Sequence, residues 1–154
     1  MRRDVKFVVE PGTRGFAEAL DKSVVALMIE KKSAVEDLEA LLSVPGVDMT
    51  QFGPADFSNS IDRPGEWQHP EVLEAERYVI ETSLKMGVTP RAEVDTPEQA
   101  RKYLEMGVKH FCVGTDVSIL YNWFRDSGGG FNELLGRDSP GESGEHGGYG
   151  GAGD

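Results

Sequence analysis

Two carboxylates occupy corresponding positions in successive β-α units of this chain. Glu30 ends the apolar run 24–29, and Asp56 follows the run 47–52 after the turn Gly53-Pro54-Ala55. If both runs are neighbouring parallel strands, both acids lie at the carboxyl end of one sheet, where α/β proteins place their chemistry. The sequence offers neither acid an obvious basic partner. The pair therefore suggests a hard divalent cation held by oxygen ligands.

The elements that would hold these acids follow a regular strand-helix alternation. At Gly46-Val47, Gly87-Val88 and Gly107-Val108 a helix ends in glycine and a strand begins with valine. This repetition, counted from a first strand near Val24, predicts four β-α units and a parallel sheet. Residues 5–9 form either a fifth strand or the remainder of a preceding loop.

Capping signals place helices between the first strands. The pattern Ser33-Ala34-Val35-Glu36 is a capping box ahead of an apolar stripe, and Pro45-Gly46 ends that helix. The stripe consists of Val35, Leu38, Leu41 and Leu42. A loop follows, with Asn59, Asp62, Pro64 and Gly65. Pro70 then predicts the first turn of a longer helix that ends at Gly87. Its buried face is predicted to consist of Val72, Ala75, Val79, Ile80 and Ser83.

Two further helices are predicted in the last part of the chain. Thr96-Pro97-Glu98-Gln99 is a second capping box with proline at the first helical position, and Gly107 closes this helix. The strand 88–94 precedes it and the strand 108–113 follows it. Thr115 or Asp116 then caps a final helix that includes Leu120 and Trp123.

Length and composition narrow the possible partners. The chain has 154 residues and a net charge of −11, with no basic stripe, which argues against nucleic acid. No apolar stretch approaches the roughly 20 residues of a membrane span, and the amino terminus does not resemble a signal peptide. The only cysteine, Cys112, excludes an internal disulfide and fits a reducing compartment, so we expect a cytoplasmic protein.

The domain organisation is predicted to be simple. Residues 1–135 form one domain, and the glycine-rich segment 136–154 forms a disordered tail because it lacks hydrophobic periodicity. The domain is short for a closed (β/α)8 barrel, which typically needs about 200 residues or more. The expected fold class is α/β, a partial TIM (β/α)8 barrel of about four units with parallel strands.

Four segments, in order along the chain, resemble motifs of the HpcH/HpaI aldolase family in the pyruvate/phosphoenolpyruvate barrel superfamily. They are Met28-Ile29-Glu30-Lys31, Pro45-Gly46-Val47-Asp48, Phe52-Gly53-Pro54-Ala55-Asp56-Phe57-Ser58 and Gly114-Thr115-Asp116. The similarity extends from about Pro11 to about Trp123. It covers the C-terminal half of the family's barrel, about four β-α units.

The resemblance implies a reaction and a set of site residues. The family cleaves 2-keto-3-deoxy or 4-hydroxy-2-oxo acids reversibly to pyruvate and an aldehyde, and uses a divalent metal. Its metal ligands correspond to Glu30 and Asp56. The backbone N–H groups of Ala55 and Asp56 correspond to those that contact the pyruvate carboxylate. The implied cofactor is Mg²⁺ or Mn²⁺, with Co²⁺ as a further option.

The implied chemistry suits these ligands. A carboxylate oxygen and the keto oxygen of pyruvate can chelate one metal ion, which acts as a Lewis acid toward the charge that develops there. Two acids, two substrate oxygens and waters complete an octahedron. The family's acid/base histidine group and pyruvate-binding arginine lie in its N-terminal half. Of the histidines here, His69, His110 and His146, none is well placed for proton transfer, and the role of Arg14 is unassigned.

Three functions remain open at this point. The first is a metal-dependent aldolase, and the second is a truncated, non-catalytic domain of the family that acts as a binding or assembly module. The third is a citrate-lyase-like acyl-CoA lyase relative. Four strands cannot close a barrel, so we expect a homo-oligomer, a complementary half-barrel as partner, or a chain that is marginally stable alone. Without the resemblance, Glu30 could be a solvated strand-end acid and Asp56 a turn or helix-cap residue.

Overall fold

The computed structural model describes residues 11–137, which divide into two compact units along the chain between Thr89 and Pro90. The first unit contains α1 (Arg14–Asp21), β1 (Ala26–Ile29), α2 (Lys32–Glu36), α3 (Leu38–Leu42), β2 (Met49–Phe52), α4 (Pro54–Ser60) and α5 (Pro70–Met86). The second contains nearly all of β3 (Thr89–Val94), α6 (Pro97–Glu105), β4 (His110–Val113) and α7 (Asp116–Leu134). The predictions for residues 5–9 and for the tail beyond 137 lie outside the described residues. No helix between residues 11 and 137 combines the length and apolarity needed to cross a membrane.

The strands pair in parallel, and a helix follows each of them. In the first unit β1 pairs with β2 in a register that sets Ile29 beside Phe52. In the second unit β3 pairs with β4, and Val94 lies beside Val113. Parallel neighbours require crossover connections, which the intervening helices provide. The α/β class and the four β-α units that the sequence predicted are confirmed.

The core of the first unit lies between the β1-β2 pair and the helices α3, α4 and α5. It consists of Ile29, Leu38, Leu42, Phe52, Phe57, Val72, Ala75, Val79 and Val88. The apolar faces predicted for α3 and α5 are therefore confirmed. Burying each large side chain of this set contributes about 1.5–3 kcal/mol. The rings of Phe52 and Phe57 pack at a centroid distance of 5.1 Å, so the core contacts the turn that carries Asp56.

A buried hydroxyl pair connects β2 to α5. Thr50 Oγ1 lies 2.8 Å from Ser83 Oγ, which itself donates to the carbonyl of Val79 at 2.6 Å. Because the one hydroxyl proton of Ser83 is used for Val79, Thr50 must be the donor of the pair. Both hydroxyls are fully buried and satisfied, so they hold β2 on α5 without a desolvation penalty.

The capping box predicted at Ser33 is wrong. The α2 helix begins at Lys32 with Lys31 as N-cap, no side chain caps it, and Asp37 separates it from α3. The N–H of Lys32 instead donates to Ser60 Oγ of α4 at 3.0 Å. A contact from elsewhere in the unit thus takes the place of the local cap.

Other element boundaries also differ from the predictions. The sequence reasoning missed α1 and α4, and Asn59, predicted in a loop, belongs to α4. Proline at the first position of α4 was the available signal, since Pro54 favours a helix start. The strands predicted to begin at Val47 and Val108 each begin two residues later, at Met49 and His110.

The predicted helix caps of the second unit are confirmed. Thr96 and Gln99 form the reciprocal capping box of α6, with Pro97 in its first turn. Thr115 caps α7, which extends to Leu134. The buried residues described in this unit are Pro90, Ala92, Val94, Ala100, Tyr103 and Val108. They come from β3, α6 and the segment before β4, and none comes from α7.

The core assignment predicts an asymmetry between two leucines of the first unit. Leu38 is 0% exposed, so Leu38→Ala should lower the free energy of unfolding by about 2–5 kcal/mol. Leu20 is 56% exposed, and Leu20→Ala should change the free energy of unfolding by no more than about 0.5 kcal/mol. Urea denaturation followed by circular dichroism measures both values. Equal losses for the two variants would contradict the core described above.

Candidate metal centre

The candidate site is built where β1 and β2 end. Glu30 follows the last residue of β1, and Gly53 follows the last residue of β2. The N–H of Gly53 donates to the carbonyl of Ile29 at 3.0 Å, which continues the parallel pairing one step beyond the strands. Glu30 and Gly53 are therefore neighbours at the carboxyl end of the pair, where the sequence pattern placed the chemistry.

The side chain of Glu30 lies directly over Gly53. A Cβ atom built on Gly53 would be 2.9 Å from Glu30 Cβ and 3.2 Å from Glu30 Oε2. Gly53 is buried and Glu30 is half-buried. Because Gly53 is also the N-cap of α4, the carboxylate of Glu30 lies at the beginning of that helix.

Asp56 lies in the first turn of the same helix, and its side chain is exposed. The structure therefore brings Glu30 to the turn that carries Asp56, within the first unit. No described lysine or arginine forms a salt bridge with either carboxylate. Two carboxylates without a basic partner are a donor set that fits a hard divalent cation.

The described residues supply few protein ligands. Within residues 11–137 no group of three or more His, Cys, Asp or Glu side chains is arranged to hold a metal ion. A cation held by Glu30 and Asp56 would therefore take its remaining ligands from a substrate or from water. This arrangement is typical of Mg²⁺, which usually keeps several waters and binds through one or two carboxylates.

Two backbone donors are available beside the acids. The first N–H groups of an α-helix have no acceptor within the helix, and in α4 the first intrahelical bond joins the N–H of Phe57 to the carbonyl of Gly53. The N-cap is a glycine, so no side chain caps the helix. The N–H groups of Ala55 and Asp56 consequently have neither a helical acceptor nor a capping side chain.

The described histidines lie away from this turn in sequence and have other surroundings. His69 is the N-cap of α5, and its Nδ1 accepts the N–H of Glu71 at 3.2 Å. His110 is exposed and begins β4, so it lies at the end of that strand opposite the Gly114 turn. His146 lies outside the described residues. The expectation that none of the three histidines performs proton transfer therefore stays a prediction.

Three features named from the sequence lie in the second unit: the motif Gly114-Thr115-Asp116, Cys112 and Trp123. The hydroxyl of Thr115 accepts the N–H of Ser118, and Asp116 lies in the first turn of α7, so this motif acts as a helix cap. Cys112 is half-buried in β4. Trp123 is 61% exposed, which excludes packing within its own unit as its main role.

Sequence reasoning missed the role of Met28 beside the acids. Its Cε lies 3.4 Å from the position that a Cβ on Gly53 would take, so Met28 flanks Glu30 over the same glycine. Residues two apart in a strand project from the same face, and that alternation was the available signal. Met28 is 47% exposed and forms an apolar edge of the site.

Comparison with known proteins identifies the family. A sequence model described as HpcH/HpaI aldolase/citrate lyase matches residues 3–122. The chain belongs to the HpcH/HpaI aldolase/citrate lyase family. The resemblance in the motifs around Glu30 and Asp56 is thereby confirmed at the level of the family.

Curated relatives in this family carry the name 4-hydroxy-2-oxo-heptane-1,7-dioate aldolase. The Escherichia coli protein is 35% identical over 103 residues, which cover 67% of this chain and 39% of that protein. The Klebsiella pneumoniae protein of the same name shows the same identity and coverage. The chain thus spans about two fifths of the length of these curated HpcH/HpaI relatives.

Two solved structures support the fold class. An HpcH/HpaI aldolase from Desulfitobacterium hafniense matches with a TM-score of 0.70 and 27% identity, over 87% of this chain and 52% of that one. The citrate synthase SbnG matches with a TM-score of 0.72 and 23% identity, over 84% and 53% of the two chains, and this likeness concerns the fold alone. The α/β fold is consistent with a partial barrel of the HpcH/HpaI type.

Proposed function

We propose that this chain forms the metal- and pyruvate-binding part of a metal-dependent aldolase. The substrates would be 2-keto-3-deoxy or 4-hydroxy-2-oxo acids, cleaved to pyruvate and an aldehyde. The observation that carries the proposal is the position of Glu30 over Gly53, at the start of the helix that bears Asp56. Membership of the HpcH/HpaI family and the names of its curated relatives support the substrate class.

In the proposed site Glu30 and Asp56 hold a divalent cation, Mg²⁺ or Mn²⁺, with Co²⁺ as a further option. When bound, such a cation supplies Lewis-acid stabilisation of negative charge on the keto oxygen of the substrate. Neither carboxylate is engaged by a described cationic side chain, so both are available as ligands. Glu30 is half-buried, which reduces its exposure to water and strengthens its electrostatic interactions.

The backbone of α4 would orient the substrate. The uncapped N–H groups of Ala55 and Asp56 would donate hydrogen bonds to the carboxylate of pyruvate. Such bonds to a charged acceptor are about twice as strong as those between neutral groups. Met28 would present an apolar surface beside the acids. These residues bind and orient the substrate, and the proposal assigns no proton transfer to a residue of this chain.

A complementary structure would supply the rest of the active site. The chain spans 39% of the length of curated relatives, and the acid/base group and pyruvate-binding arginine that the resemblance places in the family's N-terminal half would complete the active site. The second candidate is a non-catalytic module that binds or assembles, which the exposed apolar side chains of α7 favour. The family description also includes citrate lyase, which keeps an acyl-CoA lyase relative as a third candidate.

We also propose that the protein self-associates or pairs with a complementary half-barrel through α7. Large apolar side chains of this helix are more than half exposed, namely Val117, Ile119, Leu120, Tyr121, Trp123, Phe124, Phe131 and Leu134. Exposed apolar patches of this kind mark protein interaction sites, and aromatic residues are enriched in them.

A cytoplasmic location remains a prediction from the lone cysteine.

The proposed ligands can be tested by calorimetry with Mn²⁺. Glu30→Ala and Asp56→Ala should each weaken Mn²⁺ binding by more than about 10–100-fold. Removing a group that only orients a metal ligand weakens binding by that amount, and removing the ligand itself should weaken it further. Glu39→Ala is the matched control, because Glu39 is an exposed acid of the same unit on α3 and should leave the affinity unchanged. Wild-type affinity in either ligand variant would remove that residue from the site.

The proposed reaction can be tested by pyruvate release from a 4-hydroxy-2-oxo acid, followed with a coupled dehydrogenase. We expect release only with Mn²⁺ or Mg²⁺ and with the missing half-barrel supplied, for example as the N-terminal half of the Escherichia coli relative. Chelator or Glu30→Ala should abolish it, because both remove the cation. Absence of release in every combination, with Mn²⁺ binding intact, would favour the non-catalytic module.

The association surface predicts a change of molecular mass on substitution. Multi-angle light scattering of the wild type should give a mass above the 16.8 kDa of one chain. Trp123→Lys should lower it toward 16.8 kDa, because a charge replaces an exposed indole at the surface. Asn122→Lys adds the same charge on an exposed neighbouring position of α7 and serves as control. A monodisperse wild-type monomer would contradict self-association through α7.

A further inference from the structure

The glycine at position 53 is not required by its backbone conformation. Its φ and ψ are −109° and 90°, an extended conformation that other residues adopt readily. By contrast, Gly46, Gly65 and Gly87 have positive φ, and nothing lies within 4 Å of a Cβ built on any of them. At those three positions the backbone conformation requires glycine. At position 53 the neighbouring side chains must explain why the residue is glycine.

Those surroundings leave no room for a side chain. A Cβ on Gly53 would be 2.9 Å from Glu30 Cβ, 3.2 Å from Glu30 Oε2 and 3.4 Å from Met28 Cε. The two longer contacts involve the far ends of side chains that can rotate away. The shortest involves the first side-chain atom of Glu30, whose position is set by the backbone and which cannot rotate away.

The backbone on both sides of this contact is held in place. The register of β1 and β2 aligns Ile29 with Phe52, and the N–H of Gly53 donates to the carbonyl of Ile29 at 3.0 Å. Ile29 is 1% exposed and Phe52 is 7% exposed, so the core fixes both strand ends. A larger residue at 53 must therefore move Glu30 relative to α4.

We infer that Gly53 is a positioning residue that holds the Glu30 carboxylate at the start of α4 by leaving the space that its side chain occupies. The inference rests on the proposed function, because placing the Glu30 carboxylate at the start of α4 matters for binding a cation together with Asp56. Gly53 acts through Glu30 and does not itself touch a cation or a substrate through a side chain.

The first test is Mn²⁺ calorimetry on the full chain. Gly53→Ala should weaken binding by on the order of tenfold or more, the range for groups that orient a metal ligand. Gly15→Ala is the matched control, because nothing lies within 4 Å of a Cβ there and its φ is not positive. Val79→Ala removes methyl groups from the core of the same unit, and it should lower stability without changing the Mn²⁺ affinity. A Gly53→Ala variant that binds like the wild type would overturn the inference.

The second test needs no metal and separates this inference from the proposed function. The ¹³C-carboxyl resonance of Glu30, assigned by its loss in Glu30→Gln, should shift in metal-free Gly53→Ala and stay in place in Gly15→Ala and Val79→Ala. If the wild type fails to bind Mn²⁺ while this resonance shifts, the proposed function is wrong and the positioning role stands. An unmoved resonance overturns the positioning role, whatever the wild type binds.

A double-mutant cycle covers the case in which Gly53→Ala folds poorly. Glu30→Gly removes the Cβ that causes the shortest contact, so Gly53→Ala should lower the urea midpoint much less in that background. Met28→Ala removes only the 3.4 Å contact and should not restore the midpoint. Rescue by Glu30→Gly alone supports the inference, and equal losses of midpoint in all three backgrounds overturn it.

Discussion

The parallel pairing of β1 with β2 is the interaction on which the candidate site depends. The register that sets Ile29 beside Phe52 continues through the bond from the Gly53 N–H to the Ile29 carbonyl. This one extra step makes Glu30 and Gly53 neighbours. A shift of register by one residue would turn Glu30 to the other face and separate it from α4. The buried side chains of the two strands and the Thr50–Ser83 hydroxyl pair make such a shift costly.

The site depends on the side chain of Glu30 and on the absence of a side chain at Gly53. Glu30 brings a half-buried carboxylate to the beginning of α4, and Gly53 leaves the space for it. The same glycine leaves the N-cap of α4 without a capping group, so the N–H groups of Ala55 and Asp56 have no local acceptor. Negative charge and hydrogen-bond donors therefore meet at one turn, which is the combination that the proposed cation and keto acid would need.

Local signals predicted the elements whose causes are local. Proline and capping residues located α5 and α6, and the apolar periodicity of α5 identified its buried face, as the burial of Val72 and Val79 confirms. The start of α2 was predicted wrongly because no local side chain caps it, and the N–H of Lys32 donates instead to Ser60 Oγ, 28 residues further along the chain. Strand starts were displaced because glycine-valine junctions mark the turn before a strand rather than its first paired residue.

The sequence by itself determined the family, the strand-helix alternation and the two acids that follow the first two strands. These follow from residue type and spacing, which need no knowledge of long-range contacts. Only the tertiary structure decided that Glu30 lies over Gly53, that Met28 flanks it and that α7 exposes its apolar side chains. Strand register and core packing join residues far apart in sequence, and no local pattern encodes the distance between them.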